Sequence, residues 1–188
     1  FYPGKNLGAM GEGGAVLTRD PVVADRVRLL RDWGAREKYV HEEHAFNFRM
    51  DALQGAILRV KLRHLDAWTD VRREAAARYL EAMSDCAVTL PTVAPDSHHV
   101  FHVFAALHTE RDALRDSLGE AGIGTGIHYP IPIHLLPAYA YLGGARGRLP
   151  VTERLADEFL SLPMSPTLSD QDVDEVAAVM RASLDRMR

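Results

Sequence analysis

Cysteine is nearly absent. Cys86 is the one thiol in 188 residues, so no disulfide can form within the chain. That fits a reducing compartment, with the cytoplasm as the default. Cys86 opens an apolar run and reads as a small core residue. Long apolar runs are missing too, since none approaches the roughly 20 residues a helix needs to cross a bilayer. The opening residues carry no basic segment followed by an apolar one, the pattern of a secretory leader. Positive charge is not in excess: 22 Lys and Arg stand against 26 Asp and Glu, a net charge of −4. Neither nucleic acid nor an anionic membrane is therefore an expected partner, and any anionic ligand must be held by a local arrangement. Metal-site spacing is also lacking. The nine histidines include His41 and His44 at i, i+3 and the group His98, His99 and His102. Zinc sites add cysteines or a carboxylate at defined spacing, and there is no His-Glu-x-x-His. No metal is expected.

What is present is an ordinary globular balance, 47% hydrophobic and 26% charged, with one unusual segment at its start. Phe1 to Gly14 sets five glycines around Lys5 and runs into the strand-like Ala15-Val16-Leu17-Thr18. Glycine permits backbone approaches that a Cβ forbids. A lysine held in such a loop can lie against a ligand with its amine partly desolvated, which lowers the amine pKa and makes it a nucleophile towards a carbonyl. This points to a Schiff-base lysine; the other reading is a solvated lysine in a flexible turn. A phosphate-binding P-loop does not fit, because Lys5 is followed by Asn6 and the strand comes after the loop.

Further along, Asp20-Pro21 predicts a helix to about Asp32, stopped by Gly34, and then a polar loop to Phe46. Met50, Leu53, Ile57, Val60, Trp68, Val71, Ala75, Tyr79 and Met83 recur at helical spacing. One helix over residues 50–84, capped by Asn47 or Asp51, would be about 50 Å long at about 1.5 Å per residue, a length that suits a connection between domains. Strands are expected at Cys86–Leu90, Val100–Leu107 and Gly124–Ile127. Helices are expected from Thr109 to Leu118, from Val151 to Ser161, and from the Ser169 cap onward with Val173, Val176, Met180, Leu184 and Met187 inward. Gly143 to Arg148 has the composition of the most flexible loop.

Two pairs of residues stand out beside Lys5. Asn47 and Arg49 enter the long helical run, where free backbone N–H groups suit a phosphate; a helix cap and a surface arginine are the alternative. His128 and Tyr129 lie between a Gly-rich strand and the stiff Pro130-Ile131-Pro132. They are reasonable donors to a diphosphate or a sugar hydroxyl, or else a polar pair in a rigid turn.

The segment FYPGKNLGAMGEGG (Phe1 to Gly14) resembles the lysine loop of the DegT/DnrJ/EryC1/StrS family of sugar aminotransferases, which use pyridoxal 5'-phosphate. Ordered blocks continue the resemblance over essentially the whole chain: Lys38-Tyr39-Val40-His41, Asn47 to Gln54, Arg59 to Leu62, Gly122 to Pro130 and Leu160 to Met164. Departures are Phe48 where a small residue is usual, Ala52 where an acidic one is common, and Leu136 in place of a glutamine.

The resemblance implies an α/β fold, that of the pyridoxal-phosphate-dependent transferases of fold type I (aspartate aminotransferase-like), of which this chain would be the C-terminal half. Residues 1–49 would be the end of the large cofactor-binding domain, 50–84 a long interdomain helix, and 85–188 a small C-terminal α/β domain. It implies Lys5 as the catalytic, cofactor-bearing residue, and the lysine favours transamination over sugar dehydration, since dehydrating members carry histidine there. It also implies Asn47 on the cofactor phosphate of the partner subunit, and Arg49, Tyr39, His128 and Tyr129 around the substrate. The activity expected of the intact protein is amino transfer from an amino acid, L-glutamate foremost, to a dTDP- or UDP-linked keto-sugar, in a homodimer with shared active sites. A keto-cyclitol as acceptor, or a non-catalytic fragment serving folding or dimerisation, are the alternatives.

Overall fold

A computed structural model describes residues 1–187, which divide into two compact units, residues 1–66 and 67–187. In the first unit, α1 (Pro21–Arg31) begins where the sequence places it: Asp20 Oδ1 accepts from the amides of Val22 (2.8 Å) and Val23 (3.4 Å), and Pro21 occupies the first turn. It ends at Arg31 with Asp32 as its C-cap, and the chain turns away at Gly34, whose φ is +67° and whose missing side chain would otherwise meet the Glu43 carbonyl oxygen at 2.2 Å. The polar loop expected next is instead a short antiparallel hairpin, β1 (Ala35–Glu37) with β2 (Val40–His41). Arg36 anchors it, donating to both carboxylate oxygens of Asp25 on α1 (2.9 and 2.8 Å) and to Glu42 (3.2 Å). The strand expected over residues 13–18 does not form; Val16 and Leu17 are exposed and, among the described residues, no partner strand lies beside them.

The helical run expected over 50–84 is divided. It consists of α2 (Ala52–Lys61), a 3-10 turn at Leu62–His64, and α3 (Leu65–Ala82). No proline or glycine marks the turn; the backbone stays in the right-handed region and the bonding tightens, with the Leu65 amide donating to the Leu62 carbonyl. Asp51 is the N-cap residue of α2 but makes no side-chain cap hydrogen bond.

The second unit is organised around a two-stranded antiparallel sheet, β3 (Phe104–Leu107) with β4 (Phe159–Leu162), in register Phe104↔Leu162 to Leu107↔Phe159. Single bridges extend it on both sides, Thr89 to Leu107 and Gly126 to Ser161. Full strands were expected at both of those edges, and only one bridging residue of each pairs. The helices α4 (Arg111–Glu120), α5 (Pro150–Glu158) and α6 (Asp170–Arg186) complete the unit. α4 starts two residues later than expected and Thr109 does not cap it.

α6 opens with a reciprocal capping box: the Asp172 amide donates to Ser169 Oγ (3.2 Å) and the Ser169 amide to Asp172 Oδ2 (2.8 Å). Tyr79, Met83, Phe104, Leu114, Leu118, Leu160, Val173 and Met180 form a fully buried core. Truncating one of these leucines to alanine costs about 2–5 kcal/mol. The end of α5 is sealed by the buried Arg111, whose Nη1 donates to the carbonyls of Ala156 (3.2 Å) and Phe159 (3.0 Å).

Candidate functional site

In the first unit the Lys5 loop is built on close backbone contacts. The Lys5 amide donates to the Tyr2 carbonyl (2.9 Å) and the Ala9 amide to the Phe1 carbonyl (2.8 Å). Gly8 fits only because it has no side chain: a Cβ there would lie 2.1 Å from the Pro3 carbonyl oxygen. α2 grips the loop from the side. Gln54 accepts from the Met10 amide (2.9 Å) and donates to the Met10 carbonyl (3.2 Å), and Lys61 Nζ donates to the Gly8 carbonyl. The Lys5 side chain is exposed on this pinned loop. Gln54 and Lys61 stand inside recognised sequence blocks, yet spacing alone gives neither a role, since their partners lie 44 and 53 residues away.

Asn47 and Arg49 flank Phe48 on a segment that runs against the end of α1. The Phe46 amide donates to the Leu30 carbonyl (3.0 Å), the Phe48 amide to the Arg31 carbonyl (2.9 Å), and the Trp33 amide to the Phe46 carbonyl (2.9 Å). Asn47 bridges Asp32 through the backbone and its side chain is exposed. Arg49 is paired with Asp32 (2.8 Å), both about half exposed. Phe48, the departure from the expected small residue, stacks on Phe46 with ring centroids 4.8 Å apart. Asn47 and Arg49 line a groove of about 1110 Å³ bounded by residues 12–18, α1 and residues 46–50; Lys5 is not among its lining residues. Tyr39 sits at the hairpin tip with φ of +73°, exposed, with Lys38 Nζ 4.9 Å from its ring centroid.

In the second unit, His128 and Tyr129 project from the segment that follows the Gly126 bridge. Gly126 and Ser161 exchange both backbone hydrogen bonds (3.0 and 2.7 Å), and His128 Nδ1 lies 2.9 Å from Ser161 Oγ. The two rings meet edge to face at 5.5 Å, and both side chains are exposed. Just beyond, His134 Nε2 contacts Glu153 Oε1 (3.0 Å), and Glu153 also accepts from the amides of Gly147 (2.7 Å) and Leu149 (3.1 Å). The Gly147 amide first, then the Leu149 amide and His134, hold the Glu153 carboxyl below its ordinary pKa against its burial. Gly143 to Arg148 is therefore tied down rather than loose. Among the described residues no group of three His, Cys, Asp or Glu is placed to hold a metal ion.

The chain matches the DegT/DnrJ/EryC1/StrS aminotransferase family over residues 1–181. It belongs to that family. "Erythromycin biosynthesis sensory transduction protein EryC1" of Saccharopolyspora erythraea is 51% identical over 183 residues, 97% of this chain and 50% of that protein. The dTDP-3-amino-3,4,6-trideoxy-alpha-D-glucose transaminase of Streptomyces venezuelae is 45% identical over 188 residues, 100% of this chain and 50% of the relative. The chain thus spans about half the length of the curated relatives it matches. The crystal structure of S. venezuelae DesV in complex with a ketimine intermediate superposes with a TM-score of 0.95 at 45% identity, covering 99% of this chain and 50% of that one. The fold is accordingly the α/β fold of this aminotransferase family, represented here by about half of a family chain.

Proposed function

We propose that the intact protein carrying this chain is a pyridoxal-phosphate-dependent aminotransferase that moves an amino group from an amino acid, with L-glutamate as donor, to a dTDP- or UDP-linked keto-sugar. The observation that carries this reading is Lys5: an exposed amine on a loop fixed by Gly8 and gripped by Gln54 and Lys61, in a chain of this family. A carbonyl-bearing cofactor needs such an amine, accessible and fixed in place, so these residues fit pyridoxal phosphate. When bound, the cofactor supplies an electron sink for the carbon that loses its proton. Lys5 would hold it, and its Nζ would then be the group that carries that proton.

The other roles are proposals on the same footing. Asn47 donates to the cofactor phosphate of the partner subunit, and Arg49, beside Asp32, lies close to the substrate. Tyr39 forms part of the substrate wall, and His128 and Tyr129 offer N–H and O–H donors to its diphosphate or hydroxyl oxygens. The chain's net charge of −4 leaves recognition of an anionic sugar nucleotide to these local donors. The remaining cofactor contacts come from the rest of the protein and from a partner subunit, in a cytoplasmic homodimer with shared active sites. Residues 1–49 belong to its large domain, 50–84 to the connection and 85–188 to its small domain. Among the described residues, no helix is long and apolar enough to cross a membrane.

The test is an absorbance spectrum of the intact protein with pyridoxal phosphate, set beside Lys5→Ala. A visible band that disappears in the variant, with turnover of keto-sugar and glutamate lost by at least about a thousandfold, is the expected result. A spectrum indifferent to Lys5 would refute the aminotransferase reading and favour a non-catalytic role in folding or dimerisation.

A further inference from the structure

Ser161 is a buried polar side chain, 4% exposed, in the middle of β4. Its backbone amide and carbonyl are both taken by Gly126 (2.7 and 3.0 Å), and its hydroxyl meets His128 Nδ1 at 2.9 Å. A buried hydroxyl needs an acceptor for its hydrogen. A basic ring nitrogen supplies one, whereas a protonated Nδ1 would fill an oxygen lone pair and leave the hydroxyl hydrogen to seek another acceptor. The ring is also confined. A Cβ at Gly126 would lie 2.7 Å from His128 Cε1 and 3.4 Å from Nδ1, so the imidazole rests in space that only glycine leaves open. Tyr129 closes edge-on at 5.5 Å.

We propose that Ser161 is a positioning residue that sets the tautomer of His128: its Oγ–H donates to Nδ1, so the neutral ring carries its proton on Nε2 and presents that N–H as a donor to a phosphate or hydroxyl oxygen of the nucleotide-sugar. The tautomer half of this assignment stands on the geometry of β4 and Gly126 alone. The substrate half rests on the aminotransferase reading above. The consequence is directional: a ring held this way recognises an oxygen acceptor on the ligand, not a donor.

The experiment is a two-bond 1H–15N correlation spectrum of the intact protein labelled at its histidines, with the His128 signals assigned by their absence in His128→Gln. Neutral His128 in the wild type should be protonated at Nε2. Ser161→Ala should give a mixture of tautomers, and Ser161→Thr, which keeps the hydroxyl on a strand-compatible side chain, should restore the single form. In kinetics, Ser161→Ala should raise the KM for the keto-sugar about fivefold, the order expected for one lost neutral hydrogen bond, leave the KM for the amino donor unchanged, and be rescued by Ser161→Thr. A wild-type ring protonated at Nδ1, or a tautomer indifferent to Ser161→Ala, overturns the positioning role. A tautomer shift without a change in keto-sugar KM overturns the substrate half. Absence of keto-sugar turnover by the wild type refutes the functional reading instead, and the spectrum still decides the part played by Ser161.

Discussion

One methyl group at Gly8 tests how the Lys5 loop is held. A Cβ at that position lies 2.1 Å from the Pro3 carbonyl oxygen, which is backbone and cannot swing aside, so Gly8→Ala must displace the turn that carries Lys5. Overpacking of this kind costs about 1–3 kcal/mol. The expected outcome is cofactor affinity in the intact protein reduced by about tenfold or more, with a melting temperature lower by a few degrees; a cofactor titration monitored by absorbance checks the first, calorimetry the second. Gly14→Ala is the control, since nothing lies within 4 Å of a Cβ there. The sequence made Lys5 conspicuous because five glycines surround it. It did not distinguish Gly8 from Gly14, because that difference lies in one carbonyl contact. Ser161 was equally silent: it was expected at the end of a helix from Val151, whereas α5 stops at Glu158 and residues 159–162 form β4, so the histidine it faces is found only once Gly126 and β4 pair.

At the scale of elements, Glu153 shows how a loop that looks loose becomes fixed. It stands in the first turn of α5 and accepts from His134 and from the Gly147 and Leu149 amides, joining three stretches of chain through one carboxylate. These hydrogen bonds favour the ionised form, so the folded pKa lies below the unfolded value. The resulting stability is present above the unfolded pKa, near about 4.3, and is lost as pH falls through the folded pKa. Denaturant midpoints should therefore fall below about pH 4 in the wild type, and fall less steeply in Glu153→Gln, which cannot ionise; parallel acid profiles would refute the clamp. Amides of Gly147 and Leu149 should exchange faster in Glu153→Ala. Elements with local signals were legible in advance: α1 through Asp20-Pro21, and α6 through Ser169 and its inward Val173, Val176, Met180 and Leu184. Elements decided by distant partners were not. The β1–β2 hairpin depends on Arg36 reaching Asp25, the 3-10 turn at Leu62–His64 has no breaking residue, and the strand expected over 13–18 had good composition but finds no neighbour among the described residues.

At the scale of the whole molecule, the two units differ in how much apolar surface they cover. Residues 67–187 enclose a core with side chains such as Tyr79, Phe104 and Leu114 fully buried. Within residues 1–66 the buried hydrophobic side chains are Ala9, Leu29 and Leu58, while Met10 is 77%, Leu17 94% and Leu53 70% exposed. Apolar surface on this scale needs cover in the intact protein, from the rest of a chain of which these residues span about half the length of the relatives or from a partner subunit. The periodic stripe that begins at Met50 follows the same division: its α3 members Ala75 and Tyr79 are buried, whereas Leu53 and Val60 on α2 face out. The proposed homodimer gives that outward stripe something to pack against, and it makes a prediction that apolar exposure alone does not. The intact protein should sediment as a dimer, and Leu53→Asp should weaken it, because a carboxylate buried there has no partner. At about 3 kcal/mol for an unpaired buried charge, the dissociation constant rises about a hundredfold, and activity should fall with the dimer fraction as protein concentration is lowered. Leu53→Asn, polar but uncharged, should weaken the dimer less. A Leu53→Asp protein that remains dimeric and fully active at nanomolar concentration would remove α2 from the interface and leave this stripe to be covered within a single subunit.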